Sequence, residues 1–204
     1  MKLYYKPGAC SLASHIVLRE AGLPFDLVKV DLATKTLADG SDFLAVNPKG
    51  QVPTLELDEG GVLTEGSVVM QYIADRAPNS GLIPAAGGIA RYRVQEWLSF
   101  VSSELHKTCV PLFPMNRATT PDAYREIVKK RFEGKLTILD RHLDGKSYLM
   151  GDGFTVADAY AFVVLSWTPG LGVDLALWPA LAAYVKRIAA RPAVHEALLA
   201  EAQG

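Results

Sequence analysis

Reactive side chains are few in this 204-residue chain, which has two cysteines and four histidines. Cys10 stands in "YYKPGACSLASH" (4–15), after a Pro7-Gly8 turn and at or just before the start of a helix-patterned run. The positive end of a helix and its unpaired N–H groups stabilise a thiolate, lowering a thiol pKa from about 8.5. A free cysteine is equally among the most buried residue types. Position alone leaves Cys10 open as a reactive thiol or a packing residue. Cys109, late in a long helix, has no such setting and reads as core. His106 follows Ser99 and Ser103 at i, i+4, i+7 spacing, beside an apolar helix face rather than within it. A lone helix histidine is ordinarily solvated or packed, but this polar stripe favours one that faces a cleft. None of the histidines has metal-ligand spacing with the cysteines, and no metal is expected.

Two further segments carry chemistry in their backbone. Glu65-Gly66-Ser67 opens a helix whose first N–H groups form an anion site suited to a carboxylate. Glu65 also fits a plainer role, a first-turn charge that satisfies the dipole. Pro53 follows Val52 at a strand start, where proline is tolerated because it cannot donate to the ladder. A cis bond there would turn the Val52 backbone outward to pair with an extended peptide.

These residues need elements to hold them. From 1 to about 80, strand and helix patterns alternate: "KLYY" (2–5), a helix over 11–22, "FDLVKV" (25–30), then "VPTLEL" (52–57) and "GVLT" (61–64) around an Asp-Glu-Gly-Gly turn, and a helix over 65–77. The order predicts an α/β sandwich whose first βαβ unit is parallel. "APNSGLIPAAGG" (77–88) reads as a linker. Beyond it only helices are expected, over 91–107, 120–143, 154–167, about 178–190 and 192–201. Thr120 and Pro121 supply an N-cap and first-turn proline, and Thr155 and Asp158 a capping-box spacing.

Composition bounds the function. Hydrophobic residues make up 50% of the chain and the formal net charge is −1, so nothing suggests a nucleic-acid partner. The longest apolar run, "AYAFVVLSW" (159–167), is too short to span a bilayer and reads as a helix buried on all sides. No signal-peptide pattern opens the chain, and a soluble cytoplasmic protein is expected.

Taken together, the chain resembles the cytosolic glutathione S-transferases, and among them the bacterial beta class. The likeness rests on "YKPGACSLASH" (5–15), "NPKGQVPTL" (47–55), "LTEG" (63–66), "SSELHK" (102–107) and "GDGFTVADAY" (151–160), whose order and spacing span essentially the whole sequence. It implies a thioredoxin-like α/β domain over 1–80 that binds glutathione. An all-helical domain over 87–204 would shape a pocket for a hydrophobic electrophile, with residues around 111–117 and 167–173 near it. It implies a homodimer. Residue by residue, Cys10 would lie against the glutathione sulfur and be able to form a mixed disulfide. Lys35 would meet the glycine-end carboxylate, Val52 would pair with the cysteinyl backbone helped by cis-Pro53, and Glu65 and the Gly66 N–H would hold the γ-glutamyl end. His106 would reach the sulfur region and, if protonated, would add to the stabilisation of a thiolate. Ser99, Ser103 and Glu104 would supply polar contacts, some across the dimer. Thr155 and Asp158 match the family's folding cap. Gly66 departs from the serine common there, so only its backbone contact carries over. Other classes use an N-terminal Tyr or Ser hydroxyl; Tyr5 and Ser11 are available, but Cys10 fits the pattern better. The resemblance implies conjugation of glutathione to hydrophobic electrophiles. A glutathione-dependent thiol transferase and a non-catalytic binding protein on the same fold are the alternatives.

Overall fold

The computed structural model describes residues 1–203, which form two compact units, Met1–Ala85 with residues from Ala190 onward, and Ala86–Ala189. The first unit is built on a five-stranded sheet, with β1 (Lys2–Tyr5), β2 (Asp26–Asp31), β3 (Thr36–Leu37), β4 (Thr54–Glu56) and β5 (Val62–Thr64) in the order β3-β2-β1-β4-β5. The central strand β1 runs parallel to β2 and antiparallel to β4, and Leu3 faces Leu27 on one side and Leu55 on the other. Leu3, Tyr4 and Tyr5 are all buried, which explains why β1 reads as an unbroken apolar run rather than an alternating one. The parallel βαβ unit is as the order of patterns predicts. Strand β3, two residues long, was not expected; it is too short to carry a pattern of its own.

Helix α1 (Ser11–Glu20) returns the chain from β1 to β2. Every residue from Ser11 to Leu18 is buried, because α1 packs not only on the sheet but against α3 (Gly66–Arg76) and α9 (Pro192–Gln203). The expected division at 80–87 therefore differs from the observed one: residues from Ala190 onward belong to the first unit rather than to the helical one. Polar and charged contacts hold α9 there. Arg191 makes a two-pronged ion pair with Glu20, at 2.6 and 2.8 Å, and His15 Nδ1 meets Glu201 at 3.0 Å inside the packed layer. A short helix, α2 (Phe43–Val46), seats Phe43 against Tyr4 with ring centroids 5.7 Å apart.

In the second unit, α4 (Ile89–Phe100) does not continue as the regular helix expected over 91–107. It runs into a π-helical stretch, Val101–His106, and then into the short α5 (Lys107–Cys109). Ser103 Oγ donates to the Ser99 carbonyl at 2.9 Å across this widened turn. π-bulges insert a residue into a helix and cluster at functional sites, and this one holds Ser103, Glu104 and His106. After it come α6 (Asp122–Leu143), α7 (Val156–Ser166) and α8 (Pro179–Ala189). Helix α6 begins one residue later than expected, with Pro121 rather than Thr120 in the cap position. In α7 every residue from Val156 to Leu165 is buried, as the all-apolar run predicts.

The cap of α7 organises this unit. The Asp158 carboxylate, fully buried, accepts from the N–H groups of Leu149 and Thr155, from Thr155 Oγ1 and from the Tyr184 hydroxyl, at 2.8 to 2.9 Å. Burial pushes its pKa up, and these donors pull against that shift. One carboxylate thus joins the 149 loop, the start of α7 and α8. Asp158→Asn keeps the shape but sets an NH2 group against these donors. It should lower unfolding stability by about 3–5 kcal/mol, read as a fall in the urea midpoint.

Candidate functional site

The first unit supplies Cys10. Lys6-Pro7-Gly8-Ala9 turns the chain at the end of β1, with Gly8 at φ 68° and an Ala9 N–H to Lys6 C=O bond of 3.0 Å. Pro at the second position and a positive-φ glycine at the third are what a type II turn demands. Cys10 follows at the cap position of α1, half-buried, with Sγ 3.2 Å from the Val52 carbonyl as donor. That contact brings together two of the expected site residues. The two hydroxyls that serve other classes are committed here. Burial pushes the Tyr5 pKa up, and Ser11 Oγ bonds both the N–H and the C=O of Lys6 at 3.2 Å.

Gly8, at the turn, is also tied down from the far end of the chain. Its N–H donates to Glu201 Oε2 at 2.9 Å, while Glu201 Oε1 meets His15 Nδ1. Arg19 Nε donates to His15 Nε2 at 2.9 Å. Since arginine can only donate, Nε2 accepts and Nδ1 carries the proton toward Glu201. Sequence reasoning missed Glu201, whose partners lie nearly the whole chain away.

The loop before β4 presents the other contacts of this unit. Buried Asn47 shapes it, donating from Nδ2 to Gln51 C=O and Thr54 Oγ1 at 2.9 and 2.8 Å and accepting from the Lys49 N–H at 3.1 Å. The Val52–Pro53 peptide is cis. Lys35 lays its stem along Gly50 and donates from Nζ to the Gly50 carbonyl at 2.8 Å. The Glu65 carboxylate is held by Lys49 Nζ at 2.8 Å, which also reaches Thr64 Oγ1 at 2.9 Å. Lys35 and Glu65 are the non-glycine residues with positive φ among the described residues, at 60° and 67°. Such backbone costs of order 1–3 kcal/mol per residue and clusters at binding sites. Gly66 begins α3 beside Pro53: a Cβ built on it would lie 3.4 Å from the proline ring, so van der Waals space does not demand glycine there.

The second unit supplies His106, at the end of the π-helical stretch. Its Nδ1 lies 2.8 Å from the Tyr160 hydroxyl, and its ring packs edge-on against Trp167 at 4.9 Å, with Phe113 behind Trp167 at 5.3 Å. Burial, and after it the nearby Lys107 charge, push the His106 pKa down to about 4. The expectation that a protonated His106 assists the thiolate is therefore corrected: the imidazole is neutral at physiological pH. Ser99 and Ser103 lie exposed on the same helical run, and Glu104 pairs with Lys135 at 2.6 Å. Cys109 is fully buried, and burial raises its pKa to about 12, in keeping with a core role. Among the described residues, no group of three or more His, Cys, Asp or Glu side chains is arranged to hold a metal ion, and no helix is long and apolar enough to cross a membrane.

The glutathione S-transferase N-terminal domain family matches residues 8–76 and its C-terminal domain family residues 100–192. The chain is 49% identical to glutathione S-transferase GstA of Escherichia coli O157:H7, over 98% of both proteins. Its fold superposes on a sphingomonad glutathione S-transferase complexed with glutathione, at a TM-score of 0.95 and 48% identity over the full length of both chains. It also superposes on the beta-class glutathione S-transferase of Sphingomonas chungbukensis, with a TM-score of 0.93 and 48% identity over 98% of each chain. Fold and sequence agree: the chain belongs to the glutathione S-transferase family. Its likeness to the beta class, and the thioredoxin-like domain followed by a helical one, are as the motifs imply.

The lowered His106 pKa has a measurable consequence. Unfolded histidine titrates near 6.5, so between about 6.5 and 4 the unfolded chain takes up a proton that the folded one refuses. Stability present above pH 6.5 is lost as pH falls through this window. His106→Asn should lose that component, so its urea midpoint should fall less than that of the parent between pH 7 and pH 4.5. Parallel curves would show that His106 does not resist protonation.

Proposed function

We propose that this protein binds glutathione in its first unit, stabilises the thiolate, and transfers it to hydrophobic electrophiles. The observation that carries the reading is the pair of strained charged residues, Lys35 and Glu65, before and after Val52 in sequence, with Val52 itself in contact with Cys10. Glutathione is an extended tripeptide with a carboxylate at one end, a charged amino-acid group at the other and a thiol between. Lys35 suits the glycine carboxylate: one donor is engaged by Gly50, and an ammonium has three. Glu65 suits the γ-glutamyl ammonium. The first N–H groups of α3, at Gly66 and Ser67, have no partner within the helix and suit the γ-glutamyl carboxylate. The Val52 backbone pairs with the cysteinyl residue.

The thiolate is the competent nucleophile. The N-terminus of α1, a ten-residue helix that begins beside Cys10, favours negative charge at that point. Lowering the glutathione thiol pKa by one to two units is worth about 1.4–2.7 kcal/mol. In this reading His106 is a further catalytic candidate, with Ser99, Ser103 and Glu104 as candidate polar contacts, and the protein works as a cytoplasmic homodimer. Half-exposed Cys10 can also attack a glutathione disulfide, forming the Cys10–glutathione disulfide and releasing the other glutathione as thiolate. The S–H to Val52 carbonyl contact is then lost, which frees that carbonyl for the bound peptide.

Titration calorimetry with glutathione, paired with a chlorodinitrobenzene conjugation assay, tests the reading. Lys35→Ala should weaken glutathione binding by about 1.5–3 kcal/mol, since a charge-assisted hydrogen bond is lost, with little change in the urea midpoint. Unchanged affinity would refute the assignment of that end of the site. Cys10→Ala should abolish glutathione mixed-disulfide formation in the intact-mass spectrum while conjugation persists at a lower rate. A glutathione adduct found on Cys109 instead would reverse the assignment of the two cysteines.

A further inference from the structure

The loop over 47–51 bears on both of the strained charged residues of the first unit. Gly50 accepts Lys35 Nζ on its carbonyl at 2.8 Å, and its neighbour Lys49 reaches Glu65 Oε1 at 2.8 Å and Thr64 Oγ1 at 2.9 Å. The loop backbone is fixed from within. The Asn47 side chain accepts the Lys49 N–H at 3.1 Å, and the Asn47 carbonyl accepts the Gly50 N–H at 2.8 Å. Gly50 sits at φ 60°, where a side chain is strained, and a Cβ there would press on the Leu44 side chain at 3.0 Å. The stem of Lys49 therefore starts from a set position. Its pairing with Glu65 is not a matter of packing, since the two side chains are 55% and 62% exposed. Such a pair contributes little to folding, because water solvates both charges and the lysine gives up rotamer freedom to make it.

The pair leaves open a complementary set of groups. An ammonium has three donors, and Lys49 Nζ uses two of them. Among the described residues, Glu65 Oε1 carries the contact with Lys49, and Oε2 has no hydrogen-bond partner. A donor on a cation and an acceptor on an anion thus stand side by side. Helix α3 begins next to them, and the Glu65 carbonyl takes its first bonds from Val68 and Val69. The free end of a γ-glutamyl group carries the same two charges in reverse, an ammonium and a carboxylate on one carbon. Set against the Lys49–Glu65 pair, it completes a ring of four alternating charges, with like charges on the diagonals. The ion pair need not break to admit it. A lone carboxylate would attract any ammonium, whereas this pair favours a group that bears both signs. We propose that Lys49 binds the γ-glutamyl carboxylate of glutathione while Glu65 takes the neighbouring ammonium, so that the pair selects ligands ending in a free α-amino acid. The proposal rests on the proposed function, in which that end of glutathione lies at Glu65.

The test is titration calorimetry of the parent, Lys49→Met, Lys49→Arg and Lys35→Ala with two peptides. One is glutathione; the other is 4-aminobutyryl-cysteinyl-glycine, which keeps the ammonium and lacks the α-carboxylate. Methionine keeps a long stem and removes the charge at an exposed position, so the urea midpoint should stay that of the parent. Lys49→Met should bind glutathione roughly five- to tenfold more weakly, the range of one charge-assisted hydrogen bond in an exposed setting. Lys49→Arg should recover most of that loss. The 4-aminobutyryl peptide should bind the parent more weakly than glutathione does, and Lys49→Met should bind it no more weakly than the parent does. Unchanged or tighter glutathione binding by Lys49→Met overturns the proposal. So does an equal loss for both peptides, which would make Lys49 a support for Glu65 alone. An affinity for glutathione that depends on Lys35 but not on Lys49 removes Lys49 and leaves the rest of the site standing. A protein that binds neither peptide fails the underlying reading of the site, and the role of Lys49 falls with it.

Discussion

A buried carboxylate needs hydrogen-bond donors around it, and the first unit of this protein is arranged around such a group. Glu201 takes the Gly8 N–H on one oxygen and His15 on the other, and His15 is in turn fixed by Arg19. The ion would cost several kcal/mol to desolvate without these partners. With them it becomes a directional fastener between the last helix and the turn before Cys10. The thiol sits two residues beyond Gly8, so its place beside the Val52 carbonyl depends on a residue far outside the strands and loops that form the rest of its surroundings.

The second unit follows the same logic with a different carboxylate. Asp158 gathers a loop, a helix start and a neighbouring helix through donors on three segments. Helix α7, which it caps, also carries Tyr160 and so governs how firmly His106 is held. In both units, then, a buried acid fixes the backbone that presents a candidate site residue, Cys10 in one and His106 in the other. The polar contacts are specific in direction, while the apolar burial around them supplies most of the stability.

Much of this could be read from the residues. The Pro7-Gly8 turn, the parallel βαβ unit and the buried apolar run of α7 follow from local rules, because turn chemistry and hydrophobic period act over a few positions. Asp158 three residues after Thr155 announced its own cap. Other features lay beyond any local rule. Glu201 occupies an ordinary place in a helix, and only the packing of α9 on α1 turns it inward. The boundary near Ala190 was missed for the same reason, since a run of helices gives no sign of which neighbour the last one joins. Lys35 and Glu65 gave no hint of positive φ, because neither residue type prefers that region. The π-helical stretch was invisible because the apolar positions on either side of it keep the three- and four-residue spacing of a regular helix. Val94, Leu98, Val101 and Leu105 are all buried across it.

The residue inserted in this stretch has an effect on how the protein can vary. A helix advances about 100° per residue, so one residue taken up in the widened turn sets the angle of the C-terminal part relative to the N-terminal part. Before the turn, Val94 and Leu98 answer only to packing; after it, His106 answers to Tyr160 and Trp167. Exchanging a side chain on either part leaves the other where it was. Removing one residue between Val101 and Leu105 would instead rotate the two parts against each other, and the packing face and the pocket face could no longer both be met. This helix therefore tolerates a change of side chain far more readily than a change of length.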